Sequence, residues 1–489
     1  MNCTIIPRDY QIDLVDRVRG KVRAGARRVI LQGATGSGKT TAAAMLVRAA
    51  VDKGSRTLLL AHRRRLIKQM AERLAQFGVP YGVLMADLPD VQDEPWAVRN
   101  SHAQVQVASR DTLFSRTIRN EWISFPPADL VLVDEAHSSL EQYATMLQHY
   151  PQAVVIGMTA TPTRGDGTGL GAYFDALVCT VPTSRLVADG YLVPVSCYAP
   201  RRQADGGKRA ICGDAVYHWR KFAAGRPTVL FTSKVSASKA AVAAFLAAGI
   251  PATHIDAHST DRERDEAAAG LESGKIKVVG NVAVWGEGVD VPCLSCCVLL
   301  RLASSYVTFA QCIGRIMRPY PGKTDAVLID HSGAVFEHGF PDEDVEWTLN
   351  PDETVDARID RDKKAGKRKE PVCCPRCAYV YSGAVQCPQC GYALFHTPPK
   401  ATPKKDALLF PVSRDEQAAL EREDQERYWK TCLGIVAAKG GKVSQAFAIF
   451  KRKFPDGSTR GFRHDPQPGE MRRSVAEVFP GFVRQGVQS

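Results

Sequence analysis

No run of apolar residues in this 489-residue chain approaches the roughly eighteen that a membrane span requires, and the opening Met1-Asn2-Cys3-Thr4-Ile5-Ile6-Pro7-Arg8 lacks the layout of a secretory signal. A cytoplasmic protein that does not engage a membrane is expected. Disulfide scaffolding is not. Of the 14 cysteines, nine lie singly or in apolar surroundings, where a buried free thiol is the ordinary state, and five crowd into residues 373–390. An acidic surplus is missing too: 64 Lys and Arg against 52 Asp and Glu leave a net charge of +12, with an isoelectric point near 9.0. That balance suits a polyanionic partner, nucleic acid first. Domains usually run to about 100–200 residues, so a chain this long is expected to hold several.

What the sequence does have is organised around Gly33-Ala34-Thr35-Gly36-Ser37-Gly38-Lys39-Thr40, between the apolar run Arg28-Val29-Ile30-Leu31 and the helix-favouring stretch from Thr41 to Val47. It reads as strand, glycine loop and helix. The glycines let successive backbone N–H groups converge on a polyphosphate; Lys39 reaches its β- and γ-phosphates, and the Thr40 hydroxyl meets Mg²⁺. Upstream, Pro7-Arg8-Asp9-Tyr10-Gln11 opens an amphipathic helix, and a glutamine amide there has the geometry to pair with N6 and N7 of adenine.

Thr57-Leu58-Leu59-Leu60-Ala61 reads as a second buried strand, ending in His62-Arg63-Arg64-Arg65, where basic groups can hold a phosphate backbone. Val105–Ala108 gives a third, followed by Arg110-Asp111-Thr112-Leu113. Asp129-Leu130-Val131-Leu132-Val133 delivers Asp134-Glu135-Ala136-His137, an acidic pair suited to Mg²⁺ chemistry: Asp134 holds the ion through water and Glu135 deprotonates the attacking water. Val154–Met158 leads into Thr159-Ala160-Thr161-Pro162. The second half repeats the strand–helix alternation without a phosphate loop, which implies a second lobe of the same kind. Its landmarks are Asp189–Pro194, Thr228–Ser233, Gly286-Glu287-Gly288-Val289-Asp290-Val291-Pro292, and Gln311-Cys312-Ile313-Gly314-Arg315-Ile316-Met317-Arg318-Pro319. Arg315 and Arg318 lie three apart on a helix, so both can face one cleft and stabilise phosphoryl charge.

The order of these signals resembles the core of a superfamily 2 helicase. Gln11 looks like the adenine-reading element, Gly33–Thr40 like motif I, Ala61–Leu66 like motif Ia and Asp134–His137 like a DEAH box. Thr159–Thr161 look like motif III, Gly286–Pro292 motif V and Gln311–Arg318 motif VI. Within the superfamily the nearest resemblance is to bacterial and phage helicases of the RadD type, over residues 1 to about 345. It implies ATP hydrolysis coupled to movement on DNA rather than RNA, with repair, recombination or phage replication proteins as partners. It also implies a nucleotide site drawing on Gly33, Ala34, Thr35, Gly36, Ser37, Gly38, Lys39, Thr40, Thr41, Asp134, Gly288, Asp290, Gln311 and Gln11, with Lys39, Glu135, Arg315 and Arg318 catalytic and Thr40 and Asp134 at Mg²⁺.

Beyond the lobes, Lys363-Lys364-Ala365-Gly366-Lys367-Arg368-Lys369 centres a charged passage that reads as a basic linker. Cys374-x-x-Cys377 and Cys387-x-x-Cys390 then have the spacing of a tetrahedral Cys₄ zinc ribbon, with Cys373 spare. A redox dithiol would need only one such pair and a thioredoxin-like frame, which is missing. The fold expected is α/β: two tandem RecA-like lobes at 1–195 and 196–348, a linker at 349–372, a separable zinc ribbon at 373–392, a second linker at 393–412 and a small helical unit at 413–489. Two rival functions remain: a duplex translocase of the restriction-motor kind that does not part strands, and an ATP-switched nucleic-acid-binding adaptor.

Overall fold

The structure, a computed structural model, describes residues 6–164, 167–200, 211–282, 285, 291–351 and 353–393, and further on 422, 425–426, 428–430, 432–433, 436 and 443–453. The chain divides into two units, Met1–His396 and Thr397–Ser489. In the first unit, β1 (Arg28–Gln32), β2 (Thr57–Ala61), β3 (Gly82–Leu84), β4 (Val105–Ser109), β5 (Leu130–Asp134), β6 (Val154–Thr159) and β7 (Ala176–Cys179) form a sheet of order β3-β4-β2-β5-β6-β1-β7. Every pairing in it is parallel. Helices cover both faces of such a sheet, so its central strands must be apolar on both sides; all five residues of β2 and of β5 are buried. Leu59 packs on one face with Ile67 and Met70, and Leu58 and Leu60 on the other with Tyr143 and Met146.

The second sheet starts from β8 (Val195–Tyr198) and adds β9 (Thr228–Thr232), β10 (Ala252–Ile255), β11 (Val278–Asn281), β12 (Cys296–Leu300) and β13 (Ala326–Asp330), in the parallel order β10-β11-β9-β12-β13-β8. Two RecA-like lobes of one α/β class result.

The cysteine knuckles are not a separable ribbon. Their hairpin, β14 (Val372–Cys373) and β15 (Tyr379–Tyr381), continues the second sheet, with β15 antiparallel to β8 through Tyr379 opposite Tyr198 and Val380 opposite Cys197. Val380 belongs to the second lobe's core, and the Cys373 thiol donates to the Ala199 carbonyl at 3.3 Å. A lobe whose sheet would otherwise end in an open strand edge has that edge covered by the hairpin.

Nor are residues 349–372 merely a basic linker. Thr354 caps a helix, Val355–Lys364, by accepting from the Ala357 N–H; Val355 and Ile359, four apart within a charged stretch, bury one stripe against Tyr306. Just before it, residues 340–351 run back across the first lobe. The Asp344 carboxylate accepts from the Ser184 N–H at 3.0 Å and from its hydroxyl at 2.6 Å, and the Leu349 carbonyl accepts from the Gly171 N–H at 3.0 Å. In the second unit the described residues include the helix Val443–Lys453 and an apolar cluster of Trp429, Cys432, Leu433, Val436, Ala446 and Phe450. The rest of the expected helical unit lies outside the described residues.

Candidate functional site

The glycine loop connects the end of β1 to the helix Lys39–Val51, which begins at Gly38 in a left-handed conformation, φ +81°. A methyl at Gly38 would fall 2.1 Å from the Gln11 amide nitrogen, so the loop and the helix Asp9–Arg23 meet only because no side chain intervenes. The Tyr10 hydroxyl donates to the Ser37 carbonyl at 2.7 Å, the Gln11 amide donates to the same oxygen at 3.5 Å, and the Arg8 N–H donates to the Gln11 side-chain carbonyl at 3.0 Å. Gln11 thus braces the loop. Lys39 Nζ donates to the Gly33 carbonyl at 2.8 Å and to that of Ala34 at 3.4 Å.

A polar cavity of about 250 Å³ opens over this loop. Thr35, Gly36, Gly38, Lys39, Thr40 and Thr41 line it from the first lobe, Asp134 and Glu135 from the end of β5, and Arg315 and Arg318 from the second lobe. The second lobe comes close: a methyl at Gly36 would sit 2.8 Å from Arg318 Cγ, and one at Gly314 would sit 2.6 Å from Thr35 Cβ. Burial and the neighbouring Glu135 carboxylate push the Asp134 carboxyl up to about 7, and burial pulls the Lys39 ammonium down. Both shifts mark a place where charge is costly without a partner. A divalent cation beside Asp134 and a phosphate beside Lys39 would each favour the charged form of the group it meets.

Gln311 does not line this cavity. It belongs to a second space of about 370 Å³ shared with Gln32, Ala34 and Thr35, and its amide reaches His137. Thr159 Oγ1 lies 2.8 Å from His137 Nδ1, donates to the Thr161 carbonyl at 3.0 Å and accepts from the Thr161 N–H at 3.0 Å. One hydroxyl proton cannot serve two acceptors, so Nδ1 of His137 carries its own proton and donates to Thr159. His137 Nε2 is then the acceptor facing Gln311, 3.3 Å away. Sequence reasoning left His137 and Thr159 without roles; the literal DEAH and Thr-Ala-Thr strings were the available signals. Gly288 and Asp290 lie outside the described residues.

Beside the hairpin on the edge of the second sheet, Cys374, Cys377, Cys387 and Cys390 bring four sulfurs within 4.8 Å of one another. Cys374 and Cys390 sulfurs are 3.6 Å apart and those of Cys377 and Cys387 3.7 Å. Thiolates at about 2.3 Å from a tetrahedral zinc stand about 3.8 Å from each other, so the set fits that ion. The Arg376 N–H donates to the Cys374 sulfur at 3.4 Å, as a metal-bound thiolate requires of its surroundings. Among the described residues no helix is long and apolar enough to cross a membrane.

Two family models match the chain: "Type III restriction enzyme, res subunit" over residues 4–164 and "Helicase conserved C-terminal domain" over residues 208–320. A 51.5 kDa protein of a Lactococcus phage is 28% identical over 336 residues, covering 65% of this chain and 68% of its own. A Saccharomyces cerevisiae protein named for an ATP-dependent helicase, IRC3, is 24% identical over 369 residues, covering 67% of this chain and 51% of its own. The chain therefore spans about half of that yeast relative. Among solved structures, a fragment assigned to the HsdR subunit of a type I restriction enzyme from Vibrio vulnificus superposes with a TM-score of 0.54 at 20% identity, over 69% of this chain and 66% of its own. With a restriction-subunit model on the lobe that carries the phosphate loop and a helicase model on the lobe that carries the paired arginines, the chain belongs to the superfamily 2 helicases.

Proposed function

We propose that the protein is an ATP-driven motor on nucleic acid, most directly a DNA helicase or translocase of the RadD type. One observation carries the reading: the glycine loop, the Asp134–Glu135 pair, Arg315 and Arg318 line one cavity although they come from two lobes. A nucleotide in that cavity is touched by both lobes, so its binding and loss alter how they meet. Mg²⁺ at Thr40 and Asp134 supplies positive charge to the phosphates. Lys39 adds a second cation, Glu135 takes the proton of the attacking water, and Arg315 and Arg318 stabilise charge developing on the γ-phosphoryl oxygens. Gln11 fixes the loop from behind, with adenine recognition as its further role. The four cysteines hold one zinc ion, which keeps the β14–β15 hairpin on the edge of the second lobe.

The net positive charge supports a polyanionic track, and the likeness to restriction-enzyme subunits favours DNA. That same likeness supports a second reading, translocation on duplex without strand parting. The adaptor reading is disfavoured by the complete set of hydrolytic groups around the cavity. ATPase rates with single-stranded DNA, duplex, forked DNA and RNA, read beside strand displacement on the fork, test all three. Duplex-stimulated turnover with no displacement selects the translocase, and slow turnover on every nucleic acid overturns the motor.

A further inference from the structure

A guanidinium at the end of a long side chain reaches a phosphate reproducibly only when the backbone that carries it is fixed. Behind Arg318 the chain runs Pro319-Tyr320-Pro321-Gly322-Lys323. Proline at the second place and glycine at the third, with Gly322 at φ +77°, fit a type II turn, and the turn closes through the Lys323 N–H on the Tyr320 carbonyl at 2.9 Å. The Tyr320 hydroxyl ties the turn to Glu272 at 3.0 Å. Lys323 is thereby folded back onto the arginine that precedes it.

Its ammonium has three protons and meets three carbonyl oxygens: that of Arg318 at 2.6 Å, of Leu294 at 2.5 Å and of Pro292 at 3.3 Å. Pro292 and Arg318 both line the nucleotide cavity, and they come from separate stretches of the second lobe. Lys323 itself is not part of that lining. Burial pulls the pKa of the ammonium down to about 7, and the Arg318 and Arg226 guanidinia push the same way. A cation is a costly filler for such a place, where an apolar side chain would serve as a plug. What the ammonium alone supplies is a grip on three oxygens at once.

We infer that Lys323 is a positioning residue for Arg318: by holding the Arg318 carbonyl against the 292–294 segment, it sets where the guanidinium stands when charge develops on the γ-phosphoryl oxygens. None of the three acceptors belongs to Arg315, so loss of the clamp displaces one arginine and spares the other. The inference rests on the role proposed above for Arg318.

Lys323→Met keeps an unbranched stem and removes the grip. ATP turnover with oligodeoxythymidine as activator, and the Kd of a fluorescent ADP analogue, are measured for wild type, Lys323→Met, Arg318→Ala, Arg315→Ala and the two double variants. Lys323→Met should lower kcat by about ten- to a hundredfold and change Kd by less than about twofold, as expected of a reacting group displaced by an ångström or less. In Arg318→Ala the added substitution should cost almost nothing more, because no guanidinium is left to place; in Arg315→Ala it should cost its full amount. Gly322→Ala strains the turn at a positive φ while leaving the ammonium in place, and no neighbouring atom crowds the new methyl. It should repeat the pattern in weaker form, and it decides the case where Lys323→Met fails to fold. Equal losses on the two arginine backgrounds, or an unchanged kcat, overturn the clamp and leave Lys323 a structural plug. Wild-type turnover in Arg318→Ala strikes instead at the function proposed for that arginine, and the clamp falls with it.

Discussion

Gln311 Nε2 of the second lobe lies 3.3 Å from His137 Nε2 of the first, and His137 in turn stands on Thr159 at the end of β6. The DEAH histidine is therefore a contact between lobes as well as a neighbour of Glu135, whose carboxylate is 3.5 Å from its Nδ1. Movement of the second lobe is felt beside the residue proposed to activate water.

That contact predicts coupling. Gln311→Ala and His137→Ala should each reduce nucleic-acid-stimulated turnover, and the double variant should lose little beyond the worse single one, with an interaction energy of about 0.5–3 kcal/mol. Steady-state kcat for the four proteins decides it. Strictly additive losses mean the two side chains act separately.

Lys39→Ala should abolish hydrolysis and weaken nucleotide binding, because it removes a cation that touches phosphate in ground and transition states alike. Glu135→Gln keeps shape and binding but removes the base, so kcat should fall by about 10²–10⁴-fold with nucleotide Kd nearly unchanged. Wild-type turnover in purified Glu135→Gln would reassign the base.

Arg315→Ala and Arg318→Ala should lose turnover far more than affinity, since charge on the γ-phosphoryl oxygens grows only as the bond breaks. Nucleotide Kd measured beside kcat separates the cases. Matching losses in both would make the arginines plain ground-state phosphate contacts.

Zinc removal should reach beyond the knuckles. With β15 paired to β8 and Val380 in the core of the second lobe, Cys387→Ser with Cys390→Ser should release about one zinc per chain and also lower the melting temperature of that lobe by several degrees. Metal analysis and scanning calorimetry give both readings. A hairpin that melts while the lobe's own transition stays in place would show that β15 adds no support to the sheet.

The two lobes and the phosphate loop were legible in the sequence because their signals are local: an apolar five-residue strand followed at once by a glycine loop or an acidic pair leaves its mark within about fifteen residues. The attachment of the hairpin was not. Tyr379-Val380-Tyr381 is too short to announce a strand, and its partner β8 lies some 180 residues earlier. Val355 and Ile359 were hidden for a different reason: two apolar residues among Asp, Arg and Lys read as a solvated stretch until Tyr306 is seen against them. Gln311 was assigned to the nucleotide from its place in a motif. Which neighbour it meets depends on how the lobes close, and no single stretch of sequence states that.

The passage through Asp344 and Leu349 gives the lobes a second tie. The chain crosses from the first lobe to the second before β8, and after β13 it returns to grip Ser184 and Gly171 before crossing again to the helix Val355–Lys364. Two bodies joined at one point can swivel in any direction; joined at two, they turn only about the line through both. A swing of the cleft about any other line would have to break the hydrogen bonds at Ser184 and Gly171, so the cost of each direction of opening is written into the strap that follows β13.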